Sequence, residues 1–397
     1  MNTPKFRVSV LSLLSSGLWL LVSSSFAATA TYPIPGDANS DGIITSSDIQ
    51  AAIDASKGVV FLPAAKTYQI DASILIDQRH GVSLLGEGDT TVLTITGNVE
   101  ALVATNSTGC GVRGVKFVGP AGHTKNTVRF QGCTDAFVNR VTFQQTYRAV
   151  EAVECISPTF SLLTMTNLTG DYGIRLGSSV PKVDAAILHD ITGSTTATNL
   201  DWLLIGPNVD GAEIQTASFT GGKRGLRTLG SPGPKYVDLN EVTITGCAQE
   251  GVRIEAGNDL LVNATTISQT AGSGFTITSG FTGGAVLTDL TISSAGRHGL
   301  QIDGGRDIGI LNPQIGGNGT ALTSGAAGIY LGAAVSYVSV TDGCVGSTCG
   351  LGSSTGQTYG IRFAGTSAQS DSQDVKIKTV NTTGNPTPYT PTNLPGN

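Results

Sequence analysis

The chain has 397 residues, a formal net charge of −6, only 13% charged residues and 53 glycines. So few Lys and Arg in an acidic chain exclude a nucleic-acid binder, because neutralising phosphates needs clustered basic side chains. Abundant Gly, Thr, Ser and Val without a long amphipathic pattern exclude a helical bundle and favour an all-β chain of short strands and turns.

Lys5 and Arg7 precede an apolar run from Val8 to Val22, followed by small residues around Ala27 and Ala30. This layout predicts a secretory signal peptide over residues 1–30, cleaved after Ala27 or Ala30, and the run is too short for a membrane span. The expected product is soluble and secreted, either extracellular or periplasmic.

Residues 36–55 read GDANSDGIITSSDIQAAIDA. Asp37, Asn39, Asp41 and Asp48 occupy positions 1, 3, 5 and 12 of a calcium-type loop. Gly42 permits the turn and Ile43 offers its carbonyl at position 7. The pattern predicts a structural Ca2+ site. The same segment predicts a short helix capped by Ser46, Ser47 or Asp48, with Ile49, Ala52 and Ile53 covering whatever follows. The loop resembles one half of a dockerin, in which G-D-x-N-x-D-G-x-I-x-x-x-D is duplicated; here it occurs once.

From about Val99 onward a phrase of Gly, apolar, variable, apolar keeps returning. It appears as NTVRFQG (126–132), YGIRLGS (172–178), RGLRTLG (224–230), EGVRIEAG (250–257), SGFTITSG (273–280), HGLQIDGG (298–305), AGIYLGAA (327–334) and YGIRFAG (359–365). A second alternating segment, such as VDLNEVTIT or AVLTDLTIS, separates the copies, and the period of roughly 22–32 residues is that of a solenoid. Inward residues of each coil should stack on their equivalents in the next, while outward ones form a sheet surface. Cys110, Cys133 and Cys155 fall in the same place relative to the strand after each and should form an interior ladder. About eleven coils are expected, one domain over residues 31–382, followed by a Pro-rich disordered tail over 383–397.

SDIQAAIDASKGVVFLPAAKTYQI followed by GVSLLGEGDTTVLTI, with the repeat behind it, resembles the pectate-lyase-like superfamily of right-handed parallel β-helices, which includes many phage tailspikes and secreted polysaccharide-degrading enzymes. The resemblance implies that the helix caps the N-terminal end of the coil. It also implies that substrates lie along the outer face of the Gly-apolar-x-apolar strands. The ordered motifs of polygalacturonases, the Asp-Pro-His-Asp of alginate epimerases and a pectate-lyase calcium cluster are missing, so the resemblance identifies a fold rather than a reaction.

Outward positions on those strands include Arg175, Arg227, Arg253, Glu255, Thr276, Thr278, Gln301, Asp303, Tyr330 and Arg362, a concentration of charge in a sparsely charged chain. The turns entering the strands add Asp171, Asp201, Lys223, Arg224, Glu250, Arg297 and His298. Glu255 and Asp303 stand at equivalent positions two coils apart, so their backbones should lie ~9–10 Å apart. That is near the ~6.5–9.5 Å carboxyl separation of inverting glycoside hydrolysis. Arg253 and His298 are the groups to orient an acidic sugar or to abstract the proton next to a uronate carboxylate. His80, His123 and His189 are scattered, which argues against zinc. Cys344 and Cys349 are close enough in sequence to close a small disulfide loop in an oxidising compartment, whereas Cys247 has no evident partner. The expected function is that of a secreted polysaccharide-active protein, a glycoside hydrolase or polysaccharide lyase with a glycan partner. The alternative is a non-catalytic glycan-binding or structural β-helix protein.

Overall fold

The structure is a computed structural model that describes residues 33–177, 182–322, 324–346, 349–351, 356–364, 376–382, 385 and 387–390. The expected signal peptide lies outside the described residues, as does much of the tail. Residues from Pro33 onward form one compact unit, and its strands pair in parallel throughout.

Three parallel sheets run through the coil. The first contains Val59–Leu62, Ser83–Gly86 and their successors to Lys376–Lys378. The second runs from Ile43–Thr45 through Thr67–Ile70 to Cys344–Val345. The third carries the repeated phrase, from Ile74–Asp77 through Arg224–Thr228, Val252–Ile254 and Phe275–Ile277 to Gln357–Phe363. Its inward rungs stack Val150 on Ile174, Leu203, Leu226, Val252, Phe275 and Leu300, all buried. Each such large apolar side chain contributes about 1.5–3 kcal/mol on burial. Phe117 stacks on Phe143 at 5.7 Å, and Trp202 on Phe219 at the same distance.

The glycine of the repeat has a packing cause. A Cβ on Gly251 would lie 2.4 Å from Ile267, and one on Gly274 would lie 2.4 Å from Ile292. The glycine lets the second sheet's isoleucines reach the corner where the third sheet begins, which any side chain would block. At the bend between the first and second sheets, Leu162, Asp190, Thr216 and Glu241 each take a left-handed conformation, with φ from 51° to 55°. One such residue per coil turns the chain sharply enough to pass from one sheet to the next.

Cys110, Cys133 and Cys155 are buried and unoxidised, on successive coils linked through Thr108, Thr134 and Ile156. Contact with Cys133, together with burial, pushes the thiols of Cys110 and Cys155 up, so they pack as small apolar groups. Cys344 and Cys349 form the expected disulfide.

Ser46–Ala55 is a helix with Ile49 and Ile53 fully buried and Ala52 packed against the core. Its cap is Thr45, not Ser46, Ser47 or Asp48. Asp48 is the third residue of the helix, and its Oδ2 accepts the Thr45 N–H at 2.8 Å and the Thr45 hydroxyl at 2.7 Å. Ser46 instead accepts the N–H groups of Asp71 and Ala72, tying the helix to the coil beneath. No described helix is long and apolar enough to cross a membrane.

The tail differs from expectation at one place. Thr387–Thr390 is a strand that extends the third sheet, with Tyr359 opposite Thr387 and Ile361 opposite Tyr389. The open edge of the last coil offers backbone partners, and a proline is tolerated on such an edge strand.

Candidate active site

On the outer face of the third sheet, one row of equivalent positions reads Arg129, Glu151, Arg175, Leu204, Arg227, Arg253, Thr276, Gln301, Tyr330, Arg362. The side chains project because strand alternation turns the intervening residues inward, and the coil repeat brings each within about 4.8 Å of the next.

Three acids and three arginines in the middle of this face close into a ring of alternating charge. Arg224 Nη1 meets Asp201 Oδ1 at 3.3 Å, and its Nε donates to Glu250 Oε2 at 2.8 Å. Arg253 Nη1 donates to Glu250 Oε1 at 2.8 Å, and its Nε to Glu255 Oε1 at 2.7 Å. Arg227 grips Glu255 through Nε at 3.1 Å and Nη2 at 3.0 Å, and its Nη1 returns to Asp201 Oδ2 at 3.6 Å. Gln249 Oε1 also accepts from Arg224. The ring is anchored at its buried end, where the side chains of Asp201 and Arg224 are only 5% and 8% exposed.

Burial alone would raise Glu250 and Glu255, but hydrogen bonds from their arginines hold both carboxyls below the usual range. Asp201 moves the other way, because burial outweighs Arg224 and Arg227.

Beside the ring lies an open cleft of about 610 Å³. Arg224, Glu250 and Arg253 form its wall on the ring side, Ser273 and Thr276 come from the next coil, and Arg297, Gln301 and Asp303 from the one after. Asp303 Oδ2 accepts from Gln301 Nε2 at 2.8 Å, and Gln301 Oε1 accepts from Ser273 Oγ at 3.0 Å. Burial pushes the Asp303 carboxyl up, against the opposing pull of Gln301 and Arg253.

Residues 205–384, which include the cleft and every ring residue except Asp201, match the family described as right handed beta helix region. The A-module of the Azotobacter vinelandii mannuronan C-5 epimerase AlgE4 is similar in structure, with a TM-score of 0.60 and 18% identity over 90% of this chain and 95% of that one. The fold is that of the pectate-lyase-like right-handed β-helices. The AlgE6 A-module of the same organism is similar to this β-helix at a TM-score of 0.58 and 16% identity, over 89% of this chain and 97% of that one. The catalytic unit of a GH87 α-1,3-glucanase from Streptomyces thermodiastaticus gives a TM-score of 0.56 and 11% identity, over 85% of this chain and 65% of that one. No curated protein sequence matches the chain.

The β-helix divides the four candidate catalytic residues. Arg253 and Asp303 face the cleft. Glu255 stands two rungs from Asp303, as the repeat implies, but is gripped by Arg227 and Arg253 and is not part of the cleft lining. His298 stacks on Tyr330 at 4.7 Å, and its Nδ1 accepts the Ala327 N–H at 3.0 Å. Burial first, then Arg362 and Arg297, lower its pKa to about 4. Its ring is therefore neutral at pH 7, with Nδ1 engaged and the proton on Nε2, a form with no free lone pair for taking a proton. Gln249 and Ser273 enter the site unforeseen, although Ser273 holds the position before the repeat glycine that Glu250 holds one coil earlier.

At the N-terminal cap, the oxygens of the calcium-type loop serve the loop's own amides. Asp37 Oδ2 accepts Gly42 N–H at 2.7 Å, Asp41 Oδ1 accepts Ile43 N–H at 2.8 Å, and Asn39 Oδ1 accepts Asp41 N–H at 3.4 Å. Asp48 Oδ1 accepts Ala38 N–H at 3.3 Å, closing the loop on the helix. Among the described residues, no three His, Cys, Asp or Glu side chains converge as a metal cluster. Asp37 Oδ1 is nonetheless buried without a hydrogen-bond partner.

Proposed function

We propose that this β-helix is a secreted polysaccharide-active protein that takes a glycan into the cleft of the third sheet and moves a proton through Asp303. One observation carries the reading. Asp303 is the cleft carboxyl that burial pushes up, whereas Glu250 is tied to two arginines and held ionised. A carboxyl of raised pKa facing an open cleft is suited to protonate a glycosidic oxygen, or to take a proton once ionised. In a hydrolase, Glu255 two rungs away, held ionised by Arg227 and Arg253 outside the cleft lining, must be released from them to serve as the second carboxylate. In a lyase, Arg253 neutralises a uronate carboxylate while Asp303 takes the adjacent proton. His298, neutral and stacked, is a wall of the neighbouring rung rather than a base.

The test is turnover of a panel of neutral and uronic polysaccharides, followed by reducing ends and by unsaturated products. Asp303→Asn should lower turnover about 10²–10⁴-fold with the fold retained. Full turnover by this variant would remove Asp303 from the chemistry.

A second reading is favoured by the ring itself. Its six charges neutralise one another, which leaves no unpaired second carboxylate and suits a rigid glycan-binding or structural surface without catalysis. Binding without product, unchanged in Asp303→Asn, would support it.

We also propose that the loop of Asp37, Asn39, Asp41, Ile43 and Asp48 takes Ca2+ in a structural role. The unpartnered Asp37 Oδ1 and the all-oxygen donor set favour a hard cation.

A further inference from the structure

Three polar groups of the cleft remain unused once its internal bonds are drawn. Thr276 is 3% exposed, stands on the rung between Arg253 and Gln301, and its Oγ1 has no hydrogen-bond partner. Its neighbours are satisfied: Gln301 accepts from Ser273 and donates to Asp303, and Thr278 donates to the Glu255 carbonyl at 3.0 Å. Arg253 uses Nε and Nη1 on Glu255 and Glu250, leaving Nη2. Arg297, at the exposed side of the cleft, makes no ion pair among the described residues. A buried hydroxyl without a partner costs free energy in the empty protein, and such groups call for an explanation.

The geometry points to an anion subsite in the cleft, in which the Thr276 hydroxyl, Arg253 and Arg297 together receive the carboxylate of a uronic sugar. The inference rests on the cleft being the glycan site and names the class of glycan. Every unused group named is a donor or a cation, and the charged lining comprises Arg224, Arg253 and Arg297 against Glu250 and Asp303. Arg224, Arg253 and Glu250 belong to the mutually neutralised ring, so Arg297 is the lining cation left without an ion pair among the described residues. Guanidinium groups match a planar carboxylate, and a hydroxyl donating to an anion makes a stronger bond than one to a neutral oxygen. The Thr276 hydroxyl is covered in the free protein. Gln301 is a long side chain on the adjacent rung, and its movement away from Thr276 would open the hydroxyl to a ligand held by Arg253. Displacing Gln301 would also remove the hydrogen bond that favours the ionised form of Asp303.

Thr276→Val is the discriminating change, since it keeps the shape and deletes the hydroxyl. Deleting an unpartnered buried oxygen should leave the melting temperature of the free protein unchanged or higher. Binding should be measured by calorimetry on the whole protein, with a polyuronate, a neutral glucan and a sulfated glycan as probes. Wild type should prefer the polyuronate. Thr276→Val should weaken that binding about tenfold or more, as expected for a lost hydrogen bond to a charged group, and leave neutral glucan unaffected. Thr276→Ser should restore it, and Arg297→Gln should weaken it and flatten its salt dependence.

Wild-type polyuronate affinity in Thr276→Val, or an equal loss on neutral glucan, overturns the subsite. Tighter binding of the sulfated glycan overturns the carboxylate assignment. If wild type binds only neutral glucan, the subsite fails while the glycan cleft stands. If it binds none of the probes, the glycan reading of the cleft fails with it.

Discussion

His298 gives a pH signature whose size follows from its surroundings. Burial, aided by Arg362 and Arg297, lowers its pKa from 6.5 to about 4. Between those values the unfolded chain binds the proton that the folded one refuses. Stability is therefore fully present above pH 6.5 and is lost as the pH falls towards 4. Integrating between pH 7 and pH 5 makes the loss about 2 kcal/mol for this group. His298→Asn is the appropriate perturbation, because the amide oxygen can take the place of Nδ1 and keep the Ala327 N–H bonded. The variant loses the stack on Tyr330, a cost of about 0.5–1.5 kcal/mol that is the same at both pH values and cancels in the comparison. Guanidinium unfolding at pH 7 and pH 5 should show wild type losing about 2 kcal/mol more than His298→Asn over the interval. Equal losses in the two proteins would mean that the imidazole titrates normally, and the case against His298 as a base would collapse.

Two further predictions concern sites away from the cleft. Asp238, on the first sheet beside Glu213, is pushed up to about 6 by burial and then by Glu213, so its stabilising protonated form is lost as pH rises through that value. Asp238→Asn should therefore be more stable than wild type at pH 7, by about 1 kcal/mol after solvent screening of a half-buried group, and no more stable at pH 4. For the opening loop, calcium at a hundredfold excess over Kd should add about 3 kcal/mol of stability, and Asp41→Ala should abolish the gain. Identical melting curves with calcium and with chelator would leave residues 36–48 as a capping turn only.

Much of the site was visible along the chain. The period of the Gly-apolar-x-apolar phrase placed Arg227, Arg253, Thr276, Gln301 and Tyr330 in one outward row, and Glu255 and Asp303 two rungs apart, because a coil repeat converts sequence spacing directly into position on a face. The helix over Ile49 and Ile53 was equally legible. Its cap was not, since Thr45, Ser46, Ser47 and Asp48 all carry capping chemistry, and only the seating of Ser46 on Asp71 and Ala72 leaves Thr45 and Asp48 free to pair. The edge strand Thr387–Thr390 was hidden by its proline-rich context; it exists because the final coil presents an unpaired edge.

By itself, then, the sequence determined the solenoid, its alternating strands and the identity of the residues on the outer face of the repeated phrase. These depend on period-two patterning and on glycines that leave room for Ile267 and Ile292, which are local requirements written into every repeat. Which charges satisfy one another was decided only in the tertiary structure. Glu255 and Asp303 look alike in the repeat, yet Glu255 lies within reach of two guanidinium groups, while Asp303 has one amide and partial burial. The reach and direction of long arginine side chains across neighbouring coils are set by packing, and a carboxyl's proton affinity follows those contacts rather than its place in the repeat.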